Sequence, residues 1–269
     1  MHPKVSCLQM TSVNNIQTNL DTAKKLLQQA AGEGARMAVL PEMFPTLSVE
    51  NGHIEAREHY GKGPIQDFLA EHAKALNLWI VAGTIPIASE DNQRVHAACL
   101  VYNHEGEVVA RYNKIHLCDI KLHKGSQCYH ESMKTIPGNE PVVFESPIGM
   151  VGLAVCYDLR FPELFRILVD KGAETIILPS AFISSTGEAH WEVLCRARAI
   201  ETQCYVVAAN QTGEHSGGRK SFGHSMIIDP WGKILACETT DEGIVTAGID
   251  FDYVQTVRES VPIQSHRRL

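Results

Sequence analysis

Residues 152–166, GLAVCYDLRFPELFR, decide the fold, because a strand and a helix meet there at a reactive side chain. The apolar run over residues 151–155 is typical of a buried strand, and Pro162 is typical of the first turn of a helix. Cys156 lies between the two segments and is followed by polar residues. A strand that leads through a short turn into a helix is the repeating unit of α/β folds. The stretch therefore predicts an α/β protein with a thiol at a strand end.

The same alternation continues on both sides of this stretch. Helices are predicted at residues 20–31, after the Gly63-Pro64 start signal, at 162–171, and at about 190–201, the last following a turn over residues 184–187. A hairpin is predicted over residues 95–111. Because no low-complexity linker interrupts the pattern, we expect one domain over residues 1–269 with helices packed on sheet faces. Strands are predicted at residues 5–9, 37–40, 79–82, 142–144, 151–155, 175–178, 205–209, 225–228, 234–237 and 244–249.

Charge and hydropathy exclude several classes of protein. The net charge is -7, and no concentrated basic face is visible, which argues against nucleic-acid binding. The longest apolar stretches are broken by Pro and Gly and are too short to span a bilayer, and the amino terminus lacks a secretion-signal pattern. The eight cysteines are scattered through strand-like segments, as buried reduced thiols are. We therefore expect a cytoplasmic protein that binds neither nucleic acid nor membrane.

Three reactive side chains each follow an apolar strand-like run: Glu42, Lys114 and Cys156. Taken singly, each has a simpler interpretation, as a solvated charge or a small core residue. If the three meet, the Lys114 cation would lower the pKa of the thiol while Glu42 accepts its proton. Attack on an amide carbonyl would place negative charge on the oxygen, where Lys114 and backbone N–H groups after Cys156 could stabilise it. The product would be a thioester, later hydrolysed by water.

With these residues in view, the sequence resembles the nitrilase superfamily of carbon–nitrogen hydrolases. VLPEMF (39–44), RYNKIHL (111–117) and VGLAVCYDLRFPEL (151–164) match its Glu, Lys and Cys motifs. Further matches are LPSAF (178–182), AHWEVLCRARAIET (189–202) and GHSMIIDPWG (223–232). Within the superfamily, HLCD, GEAHWEVL and the HRR tail resemble the deaminated glutathione amidase branch.

The resemblance implies a four-layer αββα sandwich that pairs through its helices into a homodimer, with no metal or organic cofactor. It implies that Cys156 is the nucleophile, Glu42 the general base and Lys114 the oxyanion-stabilising cation. Glu131 would orient Lys114 and the substrate, and the Tyr157 backbone N–H would complete the oxyanion hole. Contacts with the small-molecule amide are assigned to Phe182, His190 and Trp191; the alternative for His190 and Trp191 is a helix start that packs on the core.

Two other features allow alternative interpretations. A loop rich in His and Cys suggests a metal site, but its spacings do not match structural zinc motifs, so we predict no metal. The acidic substrate needs cationic partners, which the sequence does not rank. The loop's His and Cys residues are His116, Cys118, His123, Cys128 and His130, and the candidate cations are Lys121, Lys124, Arg160, Arg219 and Lys220.

The predicted reaction is hydrolysis of deaminated glutathione to 2-oxoglutarate and cysteinylglycine. The same triad would serve an ω-amidase acting on 2-oxoglutaramate, an N-carbamoyl amidase or a true nitrilase, since pocket shape separates these activities. Outside catalysis, the chain could be a catalytically silent binding partner, or Cys156 could be a redox-sensing thiol. The redox hypothesis leaves Glu42 and Lys114 unexplained.

Overall fold

The structure, a computed structural model, describes residues 2–47, 52–121 and 128–268. Its strands are β1 (Lys4–Gln9), β2 (Ala35–Val39), β3 (Trp79–Val81), β4 (Ile85–Ala88), β5 (Val95–Tyr102), β6 (Val108–Asn113), β7 (Asp119–Lys121), β8 (Cys128–His130), β9 (Val143–Ser146), β10 (Gly149–Leu153), β11 (Thr175–Ile177), β12 (Tyr205–Ala208), β13 (Thr212–Glu214), β14 (Lys220–Phe222), β15 (Met226–Ile228), β16 (Ile234–Cys237) and β17 (Gly243–Gly248). Its helices are α1 (Ile16–Gly32), α2 (Gly52–Glu55), α3 (Pro64–Leu76), α4 (Pro162–Asp170), α5 (Ser184–Thr202), α6 (Phe251–Ser260) and α7 (Ile263–His266). Short 3₁₀ turns cover Glu131–Met133 and Cys156–Arg160.

Two large sheets repeat one arrangement. In the first, the strand order is β17-β1-β2-β3-β5-β4, with β6 paired to β5. In the second, the order is β16-β15-β12-β11-β10-β9. The strands β1, β2 and β3 run parallel, as do β10, β11 and β12, and antiparallel strands flank each set. Parallel neighbours need crossover connections, which α1, α3, α4 and α5 supply.

The two-residue period of the strands assigns side chains to layers. On β1, Val5 and Cys7 enter the core shared with the second sheet, whereas Leu8 packs with the helices on the outer face. Apolar residues of α1 and α3 cover the outer face of the first sheet. Apolar residues of α4 and α5 cover the second sheet, and β1 packs against β12 between the sheets. The architecture is the predicted four-layer αββα sandwich.

The structure corrects the predicted start of α5. The sequence SSTG at residues 184–187 predicts a turn, but α5 begins at Ser184 and continues through Gly187. A Cβ at Gly187 would collide with Phe222 of β14, so the glycine marks close packing between helix and hairpin rather than a turn. Arg198 and Glu201 on the same helix form an intrahelical ion pair, at 2.8 Å.

Several short elements were not predicted from the sequence. They are β4, the β7–β8 and β13–β14 hairpins, and the helices α2, α6 and α7. Each is brief or irregular, so its periodicity does not extend over enough residues to be recognised. Within the described ranges, no helix combines the length and apolar character needed to cross a membrane.

Candidate active site

The structure brings the three strand-end residues together. Glu42 lies three residues beyond β2, Lys114 directly follows β6, and Cys156 opens the 3₁₀ turn beyond β10. The Nζ of Lys114 donates to Oε1 of Glu42 at 2.8 Å, and the Cys156 thiol hydrogen-bonds the same carboxylate. Since β2 and β10 end on the same side of the sandwich, residues far apart in sequence reach one point.

A second carboxylate, Glu131, completes the cluster around Lys114. Nζ of Lys114 lies 2.9 and 2.8 Å from the two Glu131 carboxylate oxygens. The Cys118 backbone N–H donates to Glu131 Oε2 at 2.7 Å and so fixes the orientation of this carboxylate. Lys114 is 2% exposed, so its charge depends on these two carboxylates rather than on water. The structure thus places Glu131 directly beside Lys114.

A backbone N–H and an amide side chain hold Glu42 from the opposite side. The Ala181 N–H, just beyond β11, donates to Glu42 Oε2 at 2.9 Å. The Gln211 side chain donates to the Glu42 carbonyl at 3.0 Å. The Glu42 turn passes so close to Gly83 that a Cβ there would collide with the Pro41 carbonyl. Sequence reasoning missed Ala181, because its contribution is a backbone N–H that carries no residue-type signal, although LPSAF marks the right strand end.

The Cys156 backbone has a strained conformation held by a buried carboxylate. Its φ of 46° lies in the left-handed region, which non-glycine residues rarely adopt. The Cys156 N–H donates to the Pro179 carbonyl at 2.9 Å, and the Val155 N–H donates to Asp158 Oδ2 at 2.8 Å. Asp158 therefore shapes the turn through local hydrogen bonds, and it aims the sulfur at Glu42.

Asp158 is itself fully satisfied. Its Oδ2 accepts from the Tyr112 hydroxyl at 2.7 Å, and its Oδ1 bonds the His116 backbone N–H at 2.9 Å and the His116 ring at 2.7 Å. Arg198 donates twice to the Leu159 carbonyl, at 3.0 and 2.7 Å, and anchors the same turn to α5. The turn carrying the thiol is therefore rigidly connected to β6 and to α5.

The protonation of the thiol differs from the sequence-based expectation. Lys114 lowers the pKa of Cys156, as predicted, but burial and the Glu42 charge outweigh it and raise this pKa well above its ordinary value. Cys156 is therefore a neutral thiol at neutral pH. Burial also raises the pKa of Cys118, on the cavity wall, to about 11. Neither thiol is a preformed thiolate, so nucleophilic attack by Cys156 needs a base.

The pKa values of the two carboxylates shift in opposite directions. Burial raises the pKa of Glu42, but the Lys114 charge and hydrogen bonds from Lys114 and Cys156 overcome this effect and leave the pKa lowered. Burial and the Glu42 charge leave the pKa of Glu131 raised despite Lys114. Burial alone would lower the pKa of Lys114, but the two carboxylates raise it well above its usual range. Glu42 is thus a carboxylate beside a thiol and an ammonium.

These residues lie at a cavity of about 820 Å³. Tyr157 and Phe182, both predicted site residues, line it together with Glu42, Lys114, Glu131 and Cys156. Apolar side chains that include Met43, Leu47, Ile54, Ile120 and Met133 form other parts of the wall. A cavity of this size, mainly apolar with a few convergent polar groups, is typical of a small-molecule site.

Among the described residues, two of the five candidate cations line the cavity. Arg160 and Arg219 line it, whereas Lys121 and Lys220 are exposed residues off its wall. The Arg160 guanidinium lies 5.0 Å from the Phe182 ring centroid, and Lys220 pairs with Glu214 at 3.1 Å. The fifth candidate, Lys124, lies outside the described residues.

Neither His190 nor Trp191 lines the cavity. Trp191 is fully buried, where its Nε1 donates to the His224 carbonyl at 2.7 Å and its ring packs on Phe182. His190 is exposed, with Nδ1 3.3 Å from Nη1 of Arg160. The helical period explains the difference: successive residues of α5 point in different directions, so proximity in sequence to the site does not give contact. The prediction that His190 and Trp191 contact the substrate directly is therefore corrected. Trp191 supports Phe182, and His190 supports Arg160.

The His and Cys residues of the loop that suggested a metal site have other contacts where the structure describes them. No group of three or more His, Cys, Asp and Glu side chains in the described residues could hold a metal ion. His116 instead bonds Asp158, and Cys118 and Cys128 line the cavity. His123 lies outside the described residues.

Comparison with known proteins gives the same assignment over nearly the whole chain. Residues 4–259 match the family model described as carbon-nitrogen hydrolase. Deaminated glutathione amidase of Bos taurus is 42% identical over 272 residues, which cover 99% of this chain and 82% of the bovine protein. The protein of the same name from Synechocystis sp. (strain PCC 6803 / GT-S) is 40% identical, and the match covers 97% of each chain.

Solved structures share the fold. The C. elegans NitFhit protein superimposes with a TM-score of 0.92 and 38% identity; the match covers 100% of this chain and 66% of that longer protein. Saccharomyces cerevisiae Nit3, described as a member of branch 10 of the nitrilase superfamily, gives a TM-score of 0.89 at 28% identity, over 99% of this chain and 97% of Nit3. The chain therefore belongs to the carbon–nitrogen hydrolase family, within the nitrilase superfamily.

Proposed function

We propose that this chain is an amidase that hydrolyses deaminated glutathione, N-(4-carboxy-4-oxobutanoyl)-cysteinylglycine, to 2-oxoglutarate and cysteinylglycine. The observation that carries the catalytic part is the buried Lys114 ammonium between Glu42 and Glu131, beside the Cys156 thiol. The substrate is supported by the relatives named deaminated glutathione amidase, which are about 40% identical over nearly the whole chain.

The first step is general-base attack. Cys156 begins as a thiol and Glu42 as a carboxylate hydrogen-bonded to it, so the proton passes from sulfur to Glu42 as sulfur bonds the amide carbon. The carbonyl π electrons move onto oxygen and form a tetrahedral intermediate. This order fits a thiol whose pKa is raised, because the base is in contact when the bond forms.

Lys114 and the backbone N–H of Tyr157 stabilise the oxygen that becomes negative. A preorganised donor in such a site typically contributes about 3 kcal/mol to transition-state stabilisation. Glu131 acts on this step indirectly, because its two oxygens hold Lys114 Nζ in place. It also offsets the charge of an ammonium that water does not reach.

Collapse of the intermediate needs an acid, and Glu42 now carries the proton. Glu42 gives it to the amide nitrogen as the C–N bond breaks, which releases cysteinylglycine and leaves a thioester on Cys156. Water then attacks the thioester with Glu42 again as base, and the returning proton restores the thiol as 2-oxoglutarate leaves. The scheme uses side chains, backbone groups and water.

The cavity suits a dianionic amide. Arg160 lies over the Tyr157 and Phe182 rings at 5.6 and 5.0 Å, where it can meet the carboxylate of the acyl chain without leaving the wall. Phe182 and the apolar wall can cover the methylene groups of the substrate. The support for this part of the proposal is chemical complementarity.

We also propose that two copies pair through the outer faces of α4 and α5. Four large apolar side chains are exposed there and on the adjoining turn: Ile167 (43%), Val193 (67%), Ile200 (50%) and Trp231 (59%). Ile200 lies against Gly232, so the helix and the turn form one continuous surface. This surface, the α5 apolar face, is the kind of patch that interfaces cover. The eight cysteines, all free thiols, support a location in the reducing cytoplasm.

The test is a side-by-side turnover assay with deaminated glutathione, 2-oxoglutaramate and an N-carbamoyl amino acid. Cys156→Ala provides the blank, and Cys237→Ser, at an exposed position of β16, is the matched cysteine control. We expect preference for deaminated glutathione in the parent chain and in Cys237→Ser, and loss of turnover in Cys156→Ala with unchanged folding.

Other outcomes reassign the chain. Preference for 2-oxoglutaramate or the N-carbamoyl compound would keep the mechanism and overturn the substrate. No turnover of any of the three, with intact folding, would favour the binding-partner hypothesis. A peroxide-dependent change of state without hydrolysis would favour the redox thiol.

A further inference from the structure

The leaving amine must lie on one side of the cavity. Glu42 protonates the amide nitrogen, so the amine half of the substrate extends past Glu42, whose Oε2 accepts from the Ala181 N–H at 2.9 Å. The side chains that contact the Ala181 peptide group beside Glu42 therefore form the wall that this half of the substrate meets. This step rests on the proposed function, because it takes Glu42 as the proton donor.

Arg219 occupies that wall. Its Nη2 donates to the Ala181 carbonyl at 2.6 Å, one peptide group from the N–H that holds Glu42. Its guanidinium lies 5.5 Å from the Tyr129 ring centroid, and both residues line the cavity. The Arg219 charge also contributes to lowering the pKa of Glu42, an effect that requires proximity. Arg160, in contrast, lies over Tyr157 and Phe182.

The Arg219 side chain has unused hydrogen-bonding capacity. Its Nε is buried and has no hydrogen-bond partner among the residues that the structure describes. A buried cationic N–H without an acceptor is costly, and an anionic ligand would relieve that cost. Arginine presents parallel N–H donors that match the two oxygens of a carboxylate.

The backbone around Arg219 is held in place before any ligand binds. Gly217 and Gly218 adopt φ of 83° and 79° in the turn that joins β13 to β14, and the His215 N–H donates to the Arg219 carbonyl at 2.8 Å. The buried His215 ring bonds the Ser12 carbonyl and the Ser221 hydroxyl, at 2.9 and 2.8 Å. Binding a ligand at Arg219 therefore costs little ordering of the backbone.

We propose that Arg219, stacked on Tyr129, binds the carboxylate of the leaving amine, so that the enzyme selects amides whose amine half ends in a carboxylate. Deaminated glutathione has such an amine half, with the glycine carboxylate at its end. An amide that releases ammonia, such as 2-oxoglutaramate, has the same acyl half and nothing for Arg219 to bind. Arg219 is then a specificity-determining residue that discriminates between leaving groups.

The test measures kcat/KM of several variants on three substrates that share the same acyl half. The substrates are deaminated glutathione, its glycinamide analogue, which lacks that one negative charge, and 2-oxoglutaramate. The variants are Arg219→Met, Arg219→Lys and the control Lys220→Met, which removes the neighbouring exposed cation, located off the cavity wall. Thermal unfolding of each variant checks the fold.

We expect Arg219→Met to lower kcat/KM for deaminated glutathione about 10- to 100-fold, the range typical of one lost charge-assisted hydrogen-bonded contact. The loss should be at most about 3-fold for the glycinamide analogue and for 2-oxoglutaramate, because neither carries the carboxylate. Arg219→Lys should restore part of the preference, and Lys220→Met should leave all three values unchanged. The parent chain itself should have a higher kcat/KM for deaminated glutathione than for its glycinamide analogue.

Three outcomes would overturn the assignment. An equal loss on all three substrates would mean that Arg219 only supports Ala181 and Glu42. If Arg219→Met fails to fold, equal kcat/KM of the parent chain for deaminated glutathione and its glycinamide analogue decides against the assignment. If the parent chain does not hydrolyse deaminated glutathione, both the proposed function and the Arg219 assignment fail. In the first two outcomes the parent chain still hydrolyses it, so only the Arg219 assignment fails.

Discussion

Lys114 and Glu131 form a buried pair in which one ammonium meets both oxygens of one carboxylate, at 2.9 and 2.8 Å. A donor held in this way cannot rotate freely, so the cation is positioned before substrate arrives. Glu42 accepts a further hydrogen bond from the same ammonium, at 2.8 Å. One cation shared by two carboxylates is thus the electrostatic centre of the site.

We predict that Glu131→Gln lowers kcat about 100-fold or more while the protein stays folded, because Lys114 loses its bidentate partner and its position at the oxyanion. Steady-state kinetics and circular dichroism measure the two effects. Glu140→Gln, an exposed glutamate nine residues further along the chain, is the matched control. A kcat close to that of the parent chain in Glu131→Gln would show that Lys114 is held sufficiently by Glu42 alone.

The pH dependence of kcat/KM follows from the pKa directions. On the acid side, Glu131, whose pKa is raised, takes up a proton before Glu42, whose pKa is lowered, so activity falls as pH decreases through the titration of this pair. Glu131→Gln removes the first protonation and should move the remaining acid limb to lower pH. Rate measurements across the acid range compare the two proteins.

On the alkaline side we expect a plateau. Lys114 stays an ammonium because its pKa is raised, and Cys156 stays a thiol because its pKa is raised above the ordinary 9.0. Activity should therefore show no rise as pH passes through 9.0, the value at which an ordinary thiol ionises. A rise centred there would mean that a preformed thiolate, not a thiol with a base, is the nucleophile.

Two buried tyrosines offer a matched pair for the support of the thiol turn. The Tyr112 hydroxyl donates to the fully buried Asp158 at 2.7 Å, whereas the Tyr102 hydroxyl has no partner among the described residues. Tyr112→Phe should lower the free energy of unfolding by about 1.5–3 kcal/mol, the range for a hydrogen bond to a charged group. Tyr102→Phe should leave it unchanged or slightly raised, since no bond is lost.

Urea denaturation of both variants makes that comparison. Tyr112→Phe should also lower kcat, because Asp158 shapes the backbone that aims Cys156. Equal changes of stability in the two variants would show that the Tyr112 hydrogen bond to Asp158 adds no net stability.

The α5 apolar face yields a prediction about assembly. Val193→Glu places a charge at a side chain that is 67% exposed, and it should convert a dimer into a monomer, because a buried unpaired carboxylate is unfavourable in an interface. Val109→Glu, on β6 and 42% exposed, is the control and should remain dimeric. Light scattering after size-exclusion chromatography gives the mass. A monomeric parent chain would contradict the pairing itself.

The sequence by itself determined the alternation of strands and helices and the reactive residues, whereas the four-layer order was implied by the family resemblance. The apolar run that ends at Cys156 and Pro162 at the start of α4 reflect local backbone preference, which neighbouring residues fix. The glycine at position 187 predicts a turn, but it lies inside α5. Glycine is needed there because Phe222 packs against it, and Phe222 belongs to an element far along the chain. The α5 residues His190 and Trp191 were likewise misplaced, because sequence proximity does not give the direction of a helical side chain.

Only the tertiary structure decided the state of the site. Glu42, Lys114, Glu131 and Cys156 are each visible as residue types, but the raised pKa of the thiol and the separation of the two carboxyl pKa values result from burial and from charges on other elements. The Ala181 N–H that holds Glu42 carries no side-chain signal at all. The residues specify the available chemistry, and the fold decides which groups are dry, close together and charged, because distance and solvent exclusion set the strength of an electrostatic interaction.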